Sequence, residues 1–293
     1  MNTKLRNRAS QPITIGMAIG VAIAMLALAG LSNAVTTTAC KDDALCIEEV
    51  RKGTAIELLA RNLKDFPVTY TLKVRTQAYS VDGPKTITRT LAPRESATAM
   101  RLHPREGYVR SDYRTYFEWT IGDFDANHDD DHVYAFPYAP GRSYRILQGY
   151  GSRFSHRGLE EFAIDFDMRE GTPVHAARAG IVARVEERHN KGCWAKGCGQ
   201  YANYIVVLHS DGTTGEYYHL KQDGALVEVG DMVTRGQKIG LSGNTGHTAL
   251  PHLHFAVYRA STWGETQSIP IRFQSADGVI SRPRNGGRHQ AAH

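Results

Sequence analysis

The sequence predicts a mostly β protein made of two successive domains behind an N-terminal export segment. Three observations carry this. After the first residues no segment sustains an apolar period near 3.6, whereas short runs rich in Val, Ile, Thr, Tyr and Phe recur. Glycine- and proline-bearing turns separate those runs, as tightly connected strands require. The 293 residues, 41% hydrophobic and 22% charged, suffice for one large or two modest cored domains.

Residues 1–34 read as the export segment. Lys4, Arg6 and Arg8 precede the uncharged run Ile13 to Leu31, and Ser32-Asn33-Ala34 offers the small residues that a signal peptidase reads. The run is also long enough to span a bilayer, so an uncleaved anchor stays open beside cleavage. Of 35 basic residues these three belong to the segment, which leaves 32 against 30 acidic ones in the remainder. A balance so near neutrality gives no case for nucleic acid, and membrane contact is expected only through the N-terminal segment.

Four cysteines form two close pairs, Cys40 with Cys46 and Cys193 with Cys198. Neither pair has the Cys-x-x-Cys spacing of common zinc clusters, so both are expected to be disulfides of an oxidising compartment, most simply a periplasm.

Residues 35–140 are expected to form a small β-sandwich-like accessory domain. Glu57 to Asn62, Val68 to Val74 and Tyr116 to Thr120 are its strand-like runs, punctuated by Asp82-Gly83-Pro84 and Ala92-Pro93-Arg94. Asp123, Asp125, Asn127 and Asp129 alternate like the start of a calcium loop. His128 replaces the glycine such a loop needs and Tyr134 its bidentate glutamate, so this is read as a solvated acidic turn. Tyr138-Ala139-Pro140-Gly141 is the expected hinge. Residues 141–274 form the second domain, with the runs Gly180 to Val185, Tyr204 to Leu208 and Gly215 to Leu220, and residues 275–293 read as a frayed tail.

The chemistry concentrates in the second domain. In the strand-like Pro251-His252-Leu253-His254-Phe255, alternation sends His252 and His254 to one face and Leu253 and Phe255 to the core. Upstream stand His156, Asp165 and His219. Asp165 begins an apolar strand, a costly place for a carboxylate without a cation or hydrogen bonds, and Asp167 shares its parity as the competing candidate. Two histidines and a carboxylate leave one tetrahedral position open, as catalytic zinc requires, with two histidines to spare. Glu160, Glu161 and Glu216 read as loop or surface residues, and His175, His209 and His247 as bystanders.

These residues resemble the M23 zinc metallopeptidases of the LytM/lysostaphin type. His156…Asp165, Tyr218-His219-Leu220 and His252-Leu253-His254 carry the resemblance, joined by Gly171-Thr172-Pro173-Val174, Gly230-Asp231-Met232-Val233, Gly236 to Gly240 and Gly243-Asn244-Thr245-Gly246. It covers roughly residues 149–259. The resemblance implies a two-sheet β metallopeptidase domain holding one Zn2+ per chain, with His156, Asp165 and His254 as ligands. His219 and His252 would be the catalytic pair beside a metal-activated water, and the substrate the peptide stems and cross-links of bacterial peptidoglycan. One departure is that eight residues separate His156 from Asp165, where the family often has three. Some relatives lose these residues and act as non-catalytic wall-binding or amidase-activating modules, the alternative for this chain. A closed structural zinc site would leave no spare histidines. A β-lactamase-like site expects an acidic residue and another histidine directly after His-x-His, where Phe255-Ala256-Val257 stands.

Overall fold

The computed structural model describes residues 35–108 and 112–292. The expected export segment, 1–34, lies outside them, and among the described residues no helix is long and apolar enough to cross a membrane. Among the described residues strands dominate, and the helical pieces are three 3-10 turns, Gly158–Glu160, Cys198–Tyr201 and Thr262–Gly264. The mostly β expectation is met.

The chain divides into two compact units. Among the described residues one comprises 35–120 with Thr262–Gly264, and the other Ile121–Ser261 with 265–292. The expected hinge at residues 138–141 is therefore displaced some twenty residues upstream. The cause is packing: Tyr134, Phe136 and Tyr138 are buried in the second unit's core, where Phe136 stacks on Phe273 at 4.7 Å and meets Phe166 edge-on. Aromatic pairs of this size outweigh the turn signal of Pro140-Gly141.

The first unit holds a five-stranded sheet in the order Val35–Lys41, Leu45–Lys52, Ala55–Asn62, Ser96–Pro104, Tyr79–Val81, and a three-stranded sheet of Thr86–Leu91, Val68–Thr76 and Tyr113–Ile121. Cys40 and Cys46 face each other across its first two strands and form a disulfide.

The second unit is built on a nine-stranded antiparallel sheet. Its path runs Met232–Val233, Gly180–Glu186, Tyr204–Leu208, Thr214–Tyr218, Leu253–Ala260, Ile164–Phe166, Ser143–Gln148, Arg288–Gln290, and Thr266–Ile269 also pairs with Leu253–Ala260. A three-stranded sheet of Pro173–His175, Lys238–Ser242 and Leu220–Ala225 accompanies it. Leu253, Phe255 and Val257 point into the core with Ile164, Phe166, Ile205, Val207 and Tyr217, all fully buried. Burying each contributes about 1.5–3 kcal/mol, and together they fix the register of the central strands. The residues expected to fray are part of this unit. Arg288–Gln290 extends the large sheet, Ala291 is buried in the core, and Gly278–Ile280 pairs with Arg272–Ser275. Polar composition misled here because an edge strand needs few apolar residues when its backbone is paired.

A second polar cluster sits in this unit. His209 follows the Tyr204–Leu208 strand at a turn, as expected, yet is only 3% exposed. Its Nδ1 is 3.0 Å from Thr213 Oγ1, while Nε2 is buried without a partner. Arg178 is bonded to Asp211 and to the Tyr134 hydroxyl, and the Tyr134 ring contacts His128, His132 and His209. Burial first, and then the Arg178 charge, push the His209 imidazole down to about 3. The acidic turn keeps Asp129, Asp130 and Asp131 in solvent.

Candidate metal centre

Cross-strand register assembles the centre. Asp165 lies directly opposite His254, and His254 directly opposite Tyr218, on three neighbouring strands. Directly opposed residues share a face, so the sheet that buries Phe255 presents His254 and Asp165 together. His252 precedes by two and shares that face. His156 arrives from the loop before the Gly158–Glu160 turn and is 1% exposed.

His156 Nε2, Asp165 Oδ1 and His254 Nδ1 converge. His156 Nε2 is 3.3 Å and His254 Nδ1 2.9 Å from Asp165 Oδ1, and these three residues can each aim one donor atom at a common point. His156 Nε2 is buried and forms no hydrogen bond. A buried imidazole nitrogen with no hydrogen bond, 3.3 Å from a carboxylate oxygen and beside a second imidazole, fits a divalent ion of borderline softness such as zinc. Asp167 is exposed and outside the group.

The carboxylate is prepared for a cation. Burial would raise the Asp165 carboxyl, but the His156 and His254 rings against it and the nearby His252 hold it well below the usual range. Gln148 sits opposite Asp165 on the next strand and donates Nε2–H to Oδ2 at 2.6 Å, while Ser152 and Ser155 hold the amide in place. One carboxylate oxygen is occupied, and Oδ1 is left for the histidines.

His219 and His252 flank the triad. His219 Nδ1 is 2.7 Å from the Thr245 carbonyl, and His252 Nδ1 is 2.8 Å from the Leu250 carbonyl. A carbonyl only accepts, so each ring carries its proton on Nδ1 and leaves Nε2 as a bare acceptor. The rings lie 4.5 Å apart, and His252 Nε2 is 3.8 Å from Asp165 Oδ1. Burial, then the neighbouring His252 and His254, lower the His219 imidazole well below its ordinary value. His219 also has φ 65°, in the left-handed region that costs a residue with a Cβ. Gly246 is needed at the supporting turn: its φ is +86°, and a Cβ there would stand 2.6 Å from the Ala202 Cβ.

Other groups were missed or misread in the sequence. Glu216 is buried, not superficial, and accepts the Tyr218 hydroxyl at 2.8 Å. Glu160 accepts the Tyr258 hydroxyl, and Tyr258 reaches His254. Strand parity was the available signal for Tyr258, which shares a face with His252 and His254; nothing local marks Gln148. Beside the centre, Cys193 and Cys198 form the second disulfide. Between them Trp194, 51% exposed, stacks on Phe154, 66% exposed, at 5.3 Å and meets the His247 ring at a tilt at 4.2 Å. His247 is thus part of an aromatic face two residues from Thr245, and Phe154 is two from His156. His175 is tied to the Gly236 carbonyl away from the triad.

Residues 160–267 match the model of Peptidase family M23. Peptidoglycan DD-endopeptidase ShyA of Vibrio cholerae is 34% identical over 122 residues, 40% of this chain and 26% of that protein. Glycyl-glycine endopeptidase ALE-1 of Staphylococcus capitis is 33% identical over 141 residues, 47% of this chain and 36% of that protein. The solved structure of the antimicrobial peptidase lysostaphin from Staphylococcus simulans aligns at 32% identity over 43% of this chain and 47% of that one, with a TM-score of 0.32. The alignments with ShyA and ALE-1 span between about a quarter and about a third of those relatives' lengths. Over residues 160–267, and with the His-x-His strand inside that range, the chain carries a domain of peptidase family M23.

Proposed function

We propose that this protein is an exported zinc-dependent endopeptidase that hydrolyses peptide cross-links of bacterial peptidoglycan. The observation that supports it most is the convergence of His156 Nε2, Asp165 Oδ1 and His254 Nδ1 beside two histidines whose Nε2 atoms are free acceptors. The relatives named as peptidoglycan and glycyl-glycine endopeptidases support the substrate class. The two disulfides support an oxidising location, most simply the periplasm.

His156, Asp165 and His254 would hold one Zn2+. Bound there, zinc supplies Lewis acidity towards a peptide carbonyl and lowers the pKa of water. The protein supplies the rest. Gln148 holds Asp165 in orientation through its bond to Oδ2. In its neutral form each of His219 and His252 presents Nε2 as an acceptor, the form a general base needs to take a proton from water. Whichever of the two has taken that proton presents N–H to a developing oxyanion or to the leaving amine. The Nδ1–H bonds to Thr245 and Leu250 prevent either ring from turning its other nitrogen inward.

The test uses residues 35–293 of the parent and of His254→Ala and His252→Ala, read by zinc content and by soluble peptide released from purified cell walls. The parent is expected to hold about one zinc and to release peptide. His252→Ala is expected to keep the metal with activity lowered roughly 10²–10⁴-fold, and His254→Ala to lose both. Metal binding with no release from any wall would replace this reading by a non-catalytic wall-binding or amidase-activating module. Absence of metal from the parent would overturn the site.

A further inference from the structure

One side of the triad is held by a chain of groups that none of the proposed catalytic steps uses. Tyr258 lies on the His254 strand, four residues on and on the same face, and is 3% exposed. Its hydroxyl is 3.2 Å from His254 Nε2 and 2.5 Å from Glu160 Oε2. Glu160 closes the 3-10 turn Gly158–Glu160 between His156 and Asp165, and its carboxylate stands 3.8 Å from the same His254 nitrogen.

The directions of these bonds follow from donor inventory. An ionised carboxylate has no proton, so the Tyr258 O–H must point to Glu160. The phenol oxygen then has only lone pairs for His254, which must offer Nε2–H. An imidazole committed to Nε2–H in this way is left to use Nδ1 as its coordinating nitrogen, the one aimed at the Asp165 oxygen and His156 Nε2.

We infer that Tyr258 and Glu160 form a positioning relay that fixes His254 with Nδ1 towards the metal. This rests on the metal-centre reading above. The relay resembles in logic the carboxylate partners that orient ligand histidines generally, with a tyrosine inserted between. It also explains why a tyrosine occupies a buried strand position beside the small residues Ala163 and Ala256. A phenylalanine would fill the same volume, so the hydroxyl is the part that calls for a reason.

The experiment measures the zinc dissociation constant by competition with a chromophoric chelator. The proteins are the parent, Tyr258→Phe, Glu160→Gln, the double variant, and Glu161→Gln as a charge control on the exposed side of the same turn. Thermal midpoints are followed in parallel. Each single variant is expected to bind zinc about 10–100-fold more weakly at an unchanged midpoint. The double is expected to be no more than about threefold weaker than the weaker single, because both changes break one chain. Glu161→Gln should match the parent. A Tyr258→Phe protein that is folded and binds within twofold of the parent overturns the relay, as does full additivity in the double. A parent that binds no zinc overturns the relay together with the proposed function, and so separates that failure from the first.

Discussion

His209 makes acid stability a quantitative test of the core. It is buried, neutral and hemmed in by Arg178, Asp211, His128, His132 and Tyr134, and its folded value lies near 3 against 6.5 in an open chain. Between those values the unfolded chain binds a proton that the folded protein refuses. Stability therefore falls as pH drops through that window. Integrating the linkage for this one group gives a loss of about 2.5 kcal/mol between pH 6 and pH 4. Urea unfolding of residues 35–293 at half-unit pH steps measures it, with His209→Gln as the comparison. The glutamine keeps a polar group beside Thr213 and cannot titrate. Its stability at pH 7 is expected to be lower, since the Thr213 contact is altered, but its slope against pH should be shallower by close to one proton. Parallel curves for the two proteins would mean that His209 is protonated in the folded state, and the burial argument would fail.

Other outcomes follow from the same geometry. His219→Ala and His252→Ala should each lower kcat on wall substrate by roughly 10²–10⁴-fold with zinc content unchanged; a loss of zinc in either would move that residue into the ligand set. Gln148→Ala should weaken zinc binding by roughly 10–100-fold by releasing Asp165 Oδ2, as a chelator titration would read. Phe255→Ala, which empties a fully buried site behind His254, should cost about 3–5 kcal/mol in urea unfolding. Trp194→Ala should raise KM on wall substrate more than it lowers kcat, because the half-exposed ring borders the centre without entering it; a pure kcat effect would argue that the aromatic face serves the chemistry instead.

The centre was more legible than its supports. Two-residue alternation placed His252 and His254 on one face and Leu253 and Phe255 behind, and the structure has them there. The long loop between His156 and Asp165 obscured nothing in space, because the partner of Asp165 is set by register against His254 rather than by distance along the chain. Gln148 was not legible: its contact with Asp165 depends on a register irregularity between Ile146 and Gln148 that has no local sequence mark. Glu216 looked superficial because a charged residue in a strand is usually exposed, whereas here the Thr214 and Tyr218 hydroxyls donate to its buried carboxylate. The unit boundary was misplaced for a related reason. The sequence alone puts Tyr134 and Phe136 in the first domain and Tyr138 in the hinge, because Phe273, on which Phe136 stacks, lies far downstream.

The strand Arg288–Gln290 gives the molecule a clock. It pairs with Ser143–Gln148, the strand whose last residue holds Asp165, the carboxylate proposed as a metal ligand together with His156 and His254. Pairings across such separations form late and slowly. A ribosome adding about 5–20 residues per second needs roughly two to seven seconds to go from His254 to Gln290. During that interval every proposed metal ligand has been made, yet the edge strand that pairs with Ser143, Tyr144 and Arg145 has not. The sheet that carries Asp165 and His254 is therefore complete only once its last-made edge strand has docked on Ser143–Gln148.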